Sequence, residues 1–216
     1  MLTIFEELYL LSIHEDKGTV IASSAHGLQH GLAGGILVEL SILGKIQISE
    51  NHRLGVVDAA PVGDEMLDEA LEMIQKSEKE RKFGYWIDEL NQKPEKLRKR
   101  IAERLVQKGV VEQEDDHLVW VVPSPDTPDL EASAKYVIKY RLRSVVLACE
   151  GAQLRDIALL NLLKYCGLTF LVFLRDERKL AGRRIHELMV GEAMKNPSAQ
   201  TFEEIAVALE AVIDEE

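Results

Sequence analysis

The stretch from Gly27 to Ile48 constrains the fold of this chain most strongly. Its sequence, GLQHGLAGGILVELSILGKIQI, has apolar residues almost all round a helical wheel, so a helix here would contact neighbours on most sides. His30, Glu39 and Lys45 interrupt the run too often for a membrane span, which needs about 20 apolar residues without charge. The pattern therefore predicts a buried central helix, and Gly44 predicts its C-terminal end.

Glycines are clustered within this predicted helix at positions 31, 34 and 35. Each glycine costs roughly 1 kcal/mol relative to alanine in a helix interior, so the cluster indicates close packing of the backbone against another helix or a ligand. The motif GLAGG lacks the preceding strand, the spacing and the later acidic residue of a dinucleotide-binding fold. Helix packing is the interpretation that this motif favours.

The composition bounds the domain organisation and the partners. With 216 residues, 46% of them hydrophobic, the chain can bury one substantial core, so we expect a single domain over residues 1–216. The formal charge of −11 disfavours nucleic acid as a partner. Two cysteines, Cys149 and Cys166, cannot form a metal-ligand set by themselves. The N-terminal segment has no basic leader, so we expect a cytoplasmic protein with free thiols.

The remaining periodic segments predict a mainly α-helical fold with one or more short β-hairpins. Thr3 and Glu6 have the spacing of a capping box, and Asp64 is placed to cap another helix. A weakly alternating segment at 45–59 predicts a small hairpin. Further helices are predicted at 61–75, 83–91, 93–108, 130–149 and 175–194, and after Thr201, which is placed as a cap. The stretch 156–174 predicts two helical pieces, or one helix and its capped continuation, on either side of Gly167.

The predicted centre of the core is Leu28 to Leu43, packed against the stretch Asp156 to Cys166 and specifically against Ile157 to Leu163. Other apolar side chains are available for burial on their helices. They are Tyr136, Val137, Tyr140, Val145 and Val146, then Leu180, Ile185, Leu188 and Met189, and finally Phe202, Ile205, Ala206, Leu209 and Val212.

Positive charge is concentrated in one predicted amphipathic helix, Lys93 to Lys108. Its cations are Lys96, Arg98, Lys99, Arg100 and Arg104. Gly109 ends the helix, and a hairpin follows in which His117 to Val122 forms the second strand. A helix followed by a hairpin is the layout of a winged helix, but Glu95, Glu103 and the acidic turn at 114–116 oppose DNA binding.

No catalytic constellation stands out, so we expect neither an enzyme nor a cofactor. There is no glycine-rich phosphate loop after a strand, no nucleophile elbow and no zinc-binding helix of the His-Glu-x-x-His type. His26 and His30 lie four residues apart, which would place both imidazoles on one helix face. A metal site needs a third ligand, and none is identifiable.

Three stretches together resemble the Golgi phosphoprotein 3 family of phosphoinositide-binding trafficking adaptors. Within that family, the chain is most similar to a prokaryotic-type member. They are LTIFEELYLLSIHEDKGTV at the start, GLAGGILVELSILGKIQI with the following GDEMLDEAL, and RIAERLVQKGVV before the hairpin. The resemblance runs from Leu2 to roughly Phe173. It implies a largely helical single domain, peripheral membrane binding through phosphatidylinositol 4-phosphate, and a hairpin that touches the bilayer or another protomer.

The resemblance also implies a headgroup site, made of a tryptophan before the central helix, an arginine within it and two arginines at the start of the basic helix. In this chain these positions fall on Ser24, Ala33, Glu95 and Arg98. Two cations are lost and an acid is added. Selective binding of phosphatidylinositol 4-phosphate is therefore not expected.

The candidate binding residues are Arg98, Lys99 and Arg100 for anionic headgroups, and Leu118, Val119 and Trp120 for a hairpin that meets a membrane or another protomer. Together they predict weak, non-selective binding to anionic phospholipid membranes. A cytoplasmic interaction or oligomerisation module without lipid binding stays open as an alternative, with a homo-oligomer or a protein partner. An enzyme with an unrecognised pocket is a further alternative.

Overall fold

The computed structural model describes residues 1–49, 51–114, 117–120 and 133–214. Nine α-helices lie in these ranges: α1 Ile4–Ser12, α2 Ala25–Ile42, α3 Glu65–Gln75, α4 Phe83–Leu90, α5 Pro94–Gln107, α6 Ala134–Leu147, α7 Leu154–Tyr165, α8 Arg178–Ala193 and α9 Pro197–Asp214. The strands β1 Ile46–Ile48 and β2 Leu54–Val56 form one antiparallel pair, and β3 Val111–Glu114 and β4 His117–Trp120 form a second. The prediction of a mainly helical fold with short hairpins is confirmed.

The first and third helices begin where the capping signals predict. The hydroxyl of Thr3 accepts a hydrogen bond from the Glu6 amide at 3.4 Å, and the Glu6 carboxylate accepts one from the Thr3 amide at 2.7 Å. Asp64 Oδ1 accepts hydrogen bonds from the amides of Met66 and Leu67 at the start of α3. These bonds satisfy N–H groups that have no partner within the helix itself.

Helix α2 forms the centre of the molecule, with α1, α9, α7, α3 and α4 packed round it. Ile36 of α2 and Leu160 of α7 are both buried, so the predicted centre is confirmed. Its C-terminal limit is corrected, because α2 ends at Ile42 and Leu43 is exposed. Gly44 follows with φ of +69°, a left-handed conformation that ends the helix.

The glycines of α2 lie where neighbouring helices approach its backbone. A Cβ built on Gly27 would be 2.0 Å from the carbonyl oxygen of Cys166, at the end of α7. A Cβ on Gly34 would be 2.9 Å from the side chain of Leu209 in α9. The predicted close packing is confirmed, and the neighbours are other helices.

The predicted buried faces of two helices are confirmed in part. In α6 the residues Val145 and Val146 are buried as predicted, but Tyr136, Val137 and Tyr140 are exposed, and Ile138 and Leu142 are buried in their place. In α8 the residues Ile185 and Met189 are buried as predicted, but Leu180 is exposed and Ala181 is buried. Each helix carries apolar side chains on more than one side, and packing against the neighbouring helices selects the side that is buried.

Two element boundaries are also corrected. Helix α9 begins at Pro197, and Thr201 is buried within it instead of capping it. A proline suits the first turn of a helix because its missing N–H would have no partner there. The second piece of the 156–174 stretch is a 3₁₀ turn at Thr169–Leu171, after Gly167 with φ of +68°.

Parts of three predicted segments cannot be compared with the structure. Residues 115–116 of the predicted turn, residues 121–122 of the predicted strand and residues 130–132 of the predicted 130–149 helix lie outside the described ranges. In the part of the chain that the structure describes, no helix combines the length and the apolar character needed to cross a bilayer.

Candidate functional site

Helix α5 is amphipathic, and the structure divides its cations between two sides. Pro94 is its first residue, and Gly109 with φ of +66° follows its end. Leu97, Ile101 and Leu105, spaced four residues apart, are buried. Residues two positions apart on a helix differ in direction by roughly 200°. Positions 98 and 100 therefore face nearly opposite ways.

Arg100 points towards α3, where an ion pair holds it. Its guanidinium donates hydrogen bonds to both carboxylate oxygens of Glu69, at 2.6 and 2.9 Å, and lies 3.7 Å from Glu65. The hydrogen bonds that Arg100 donates to Glu69 raise the pKa of Arg100. The structure thus separates Arg100 from Arg98 and Lys99, with which the sequence groups it.

Two further cations on the same side of α5 are paired with acids of α1 and α3. Arg104 donates to Glu6 at 3.1 Å and also to Asp64, and Lys108 Nζ lies 2.7 Å from both oxygens of Glu6. Burial opposes ionisation of Glu6, but hydrogen bonds, the first of them from Lys108, outweigh it and lower the pKa of Glu6. These two cations are paired within the fold and are therefore not available to bind a ligand.

Arg98 and Lys99 point away from this side, and Lys99 lines an open cleft of about 240 Å³. The cleft is lined by α1, α5, the turn after α1 and the hairpin, through residues that include Tyr9, Gly18, Lys99, Gln113 and Leu118. Burial raises the pKa of Tyr9, and the charge of Arg98 opposes that rise. Lys99 is exposed and reaches Glu103 only at 3.9 Å, a distance at which a surface pair contributes little.

The hairpin forms one wall of this cleft. The Leu118 amide donates to the Gly18 carbonyl at 3.1 Å, and Leu118 is buried while Val119 is exposed. A Cβ on Gly18 would be 2.1 Å from the Leu118 carbonyl oxygen, so a glycine is needed where the hairpin meets the turn. Of the three hairpin residues predicted to meet a membrane or another protomer, Val119 is therefore exposed and Leu118 is not. The side chain of the third, Trp120, lies outside the described part of the chain.

Sequence reasoning missed the parts of this cleft that come from α1 and its following turn. Tyr9 belongs to α1, of which the sequence predicted the capped start, and Gly18 belongs to the turn that follows. The glycine in the sequence HEDKGTV was the available signal, because a left-handed turn residue often marks a close approach of two chain segments.

The positions of the implied headgroup site do not form an open pocket. Ser24 is buried, and its hydroxyl donates to the Ile21 carbonyl at 2.6 Å. Ala33 is fully enclosed within α2, whereas Glu95 is exposed and Arg98 is half-buried on α5. A headgroup therefore has no access to the Ala33 position, where the implied site requires an arginine.

His26 and His30 share one face of α2, as their spacing predicts. Their rings lie 5.4 Å apart, and His30 Nδ1 is 3.4 Å from the His26 carbonyl oxygen. Within the described residues, no group of three or more His, Cys, Asp or Glu side chains is arranged to hold a metal ion.

These features define a helical domain built round one buried helix, with a basic helix and a short hairpin side by side on its surface. The Golgi phosphoprotein 3 (GPP34) family model matches residues 4–206, and the chain belongs to this family. Over 166 residues it is 29% identical to vacuolar protein sorting-associated protein 74 of Eremothecium gossypii, which covers 68% of this chain and 49% of that protein.

A second relative is the protein of the same name from Schizosaccharomyces pombe. It is 28% identical over 165 residues, which cover 67% of this chain and 48% of that protein. The chain thus spans about half the length of the curated relatives it matches.

Proposed function

We propose that this protein is a cytoplasmic, peripheral membrane adaptor and not an enzyme, and that it binds anionic bilayers weakly and without lipid selectivity through Arg98 and Lys99. The observation that carries the proposal is the division of charge on α5. Arg100, Arg104 and Lys108, the last of them just after the helix, are held by acids of α1 and α3. Lys99 lines the cleft beside the hairpin, and the charge of Arg98 acts on Tyr9 in the wall of that cleft.

The expected affinity is low for two reasons. Each cation near an anionic surface contributes about 1 kcal/mol, and this attraction is screened over ~8 Å at physiological salt. The chain as a whole carries a charge of −11, which opposes approach to an anionic surface. Lack of selectivity follows from the enclosed Ala33 and from Glu95, which repels a phosphate group.

Vesicle sedimentation tests the proposal. Phosphatidylcholine vesicles would carry phosphatidylserine or phosphatidylinositol 4-phosphate at matched charge, at low and high salt. We expect binding that is equal for both lipids at low salt and is much weaker at high salt. A salt-resistant preference for the phosphoinositide would contradict the proposed lack of selectivity. Absence of binding to either vesicle would contradict membrane binding and favour the protein-interaction module.

A pair of charge reversals on one helix tests the residues. Lys99→Glu and Arg100→Glu change the net charge equally, but only Lys99 borders the cleft. Lys99→Glu should weaken low-salt binding by on the order of tenfold, because one attraction is replaced by a repulsion. Arg100→Glu should weaken it much less. Equal losses in both variants would show that overall charge, and not this side of α5, governs binding.

A further inference from the structure

Helix α6 presents an aromatic face outward, on the side that the sequence predicts to be buried. Tyr136, Val137 and Tyr140 are 39%, 53% and 62% exposed. The two tyrosine rings are stacked, with centroids 6.4 Å apart and planes 18° from parallel. Three large apolar side chains thus lie within little more than one helical turn, and a cluster of this kind marks an interaction surface more often than scattered single residues do.

The charge of α6 sets it apart from the rest of an acidic chain. It contains Lys135, Lys139, Arg141 and Arg143 and no acidic residue, whereas each of the other eight described α-helices carries at least one aspartate or glutamate. The cations pair with acids of other elements, as Lys139 does with Glu15 at 3.1 Å. No carboxylate of the helix itself therefore stands beside the aromatic face to repel an anionic surface.

The helix that carries the aromatic face contacts the turn beside the surface already proposed to meet the membrane. Lys139 contacts Glu15 in the turn between α1 and α2, and Gly18 of the same turn accepts the hydrogen bond from Leu118 of the hairpin. Gly18 and Leu118 line the same cleft as Lys99 of α5. Helices α5 and α6 thus both lie beside this turn.

We propose that Tyr136, Val137 and Tyr140 enter the interfacial region of an anionic bilayer and supply the apolar, salt-resistant part of membrane binding. The inference rests on the proposed function and adds a second contact to the same surface. Tyrosine suits this place because its ring is apolar while its hydroxyl stays among the headgroups. A bilayer is favoured over a protein partner by the absence of acids on α6 and by the cations of α5 beside the same turn.

A fluorophore sensitive to polarity, attached at Val137→Cys in a Cys149→Ser background, reports directly on the face. The matched control is Val207→Cys on α9, because Val207 is also 53% exposed. The remaining thiol, Cys166, is buried, which raises its pKa to about 12 and keeps it unlabelled near neutral pH. With phosphatidylcholine–phosphatidylserine vesicles, we expect a blue shift and quenching by brominated lipid at position 137 and no change at position 207.

The variant Tyr136→Ser, Val137→Ser, Tyr140→Ser measures the contribution of the face. Its three sites are exposed, so its circular dichroism and melting temperature should match those of the wild type. We expect the partition coefficient to fall on the order of tenfold at high salt, because part of the apolar area no longer leaves water. The low-salt binding that Lys99→Glu removes should persist.

The outcomes separate this inference from the proposed function. Wild-type protein that fails to bind any vesicle would overturn both. Wild-type binding with an unchanged label at position 137, or with an unaffected triple variant, would overturn the role of α6 and leave the α5 site standing. A change in the fluorescence of the label that grows with protein concentration in the absence of vesicles would assign the face to a second copy of the chain. That result would likewise overturn the proposed membrane contact of α6.

Discussion

Replacing Gly27 by alanine tests whether the glycines of α2 serve close packing. The added Cβ would lie 2.0 Å from the carbonyl oxygen of Cys166 and 3.1 Å from its carbonyl carbon. Carbon–oxygen contacts of the closest tolerated kind are about 3.3–3.6 Å. The start of α2 and the end of α7 would therefore have to separate by about an ångström.

The size of the effect follows from two opposing contributions. Overpacking costs about 1–3 kcal/mol, and the upper end applies here because a backbone carbonyl cannot rotate away. Alanine regains up to about 1 kcal/mol of helix propensity. We expect a net loss of about 2 kcal/mol. For a chain of 216 residues that corresponds to a fall in melting temperature of about 4–8 °C.

Gly182 in α8 supplies the control, because nothing lies within 4 Å of a Cβ built there. Gly182→Ala should raise the melting temperature by about 1–4 °C, since only the gain in propensity remains. Calorimetry of both variants in one buffer should give shifts of opposite sign. A Gly27→Ala variant as stable as the wild type, beside a stabilised Gly182→Ala, would refute the packing argument.

Three further changes probe the core and the thiols. Glu6→Gln should cost about 3 kcal/mol at neutral pH in urea unfolding, because two cations lose a buried partner. The pKa of Glu6 in the folded protein lies below its ordinary 4.5, so its contribution to the free energy of unfolding is present above pH 4.5. This contribution should vanish as the pH falls through the folded pKa. A difference in unfolding free energy between variant and wild type that stays constant with pH would contradict this. Leu40→Ala should cost about 2–5 kcal/mol in the same assay, and a cost below 1 kcal/mol would contradict full burial. Mass spectrometry should find native Cys149 alkylated and Cys166 protected until the chain unfolds, whereas equal labelling would count against the buried thiol.

Features set by neighbouring residues could be predicted from the sequence. The capping box of Thr3 and Glu6, the Asp64 cap and the stop at Gly44 each depend on groups within about one helical turn. The face of α6 could not be predicted in the same way. Apolar residues lie on two of its sides, and only contacts with α1, α7 and α8 decide that Ile138 and Leu142 are buried while Tyr140 is not.

The candidate site was predictable only in part. The positions of Arg98 and Arg100 on opposite sides of α5 follow from helical spacing alone, so they need not have been grouped. Their partners could not be foreseen, because Glu69 lies 31 residues before Arg100 and Glu6 lies 98 residues before Arg104. Asp64 and Glu69, on the polar side of α3, are the partners of basic residues on α5.

Some cations of α5 are thus paired within the fold and others are left at the surface, and this division limits membrane binding. Cations near an anionic surface contribute about 1 kcal/mol each, whereas the loss of freedom on association costs several kcal/mol. The two cations of α5 that are proposed to meet the membrane therefore give only transient attachment. A stable complex needs an apolar contribution as well, and the exposed face of α6 is placed to provide one.

The division of charge on α5 also predicts that releasing the cation that faces α3 adds little to membrane binding. Glu69→Gln removes the bidentate partner of Arg100 and lowers the negative charge of the chain by one. Glu187→Gln on α8 makes the same change in charge at an exposed position away from α5. Because Arg100 lies on the side of α5 opposite Arg98, both variants should raise low-salt vesicle binding by the same small amount, at a stability cost of about 1 kcal/mol or less for Glu69→Gln. A gain several-fold larger in Glu69→Gln than in Glu187→Gln would mean that Arg100, once released, reaches the membrane, and the distinction between the two sides of α5 would then have no bearing on membrane binding.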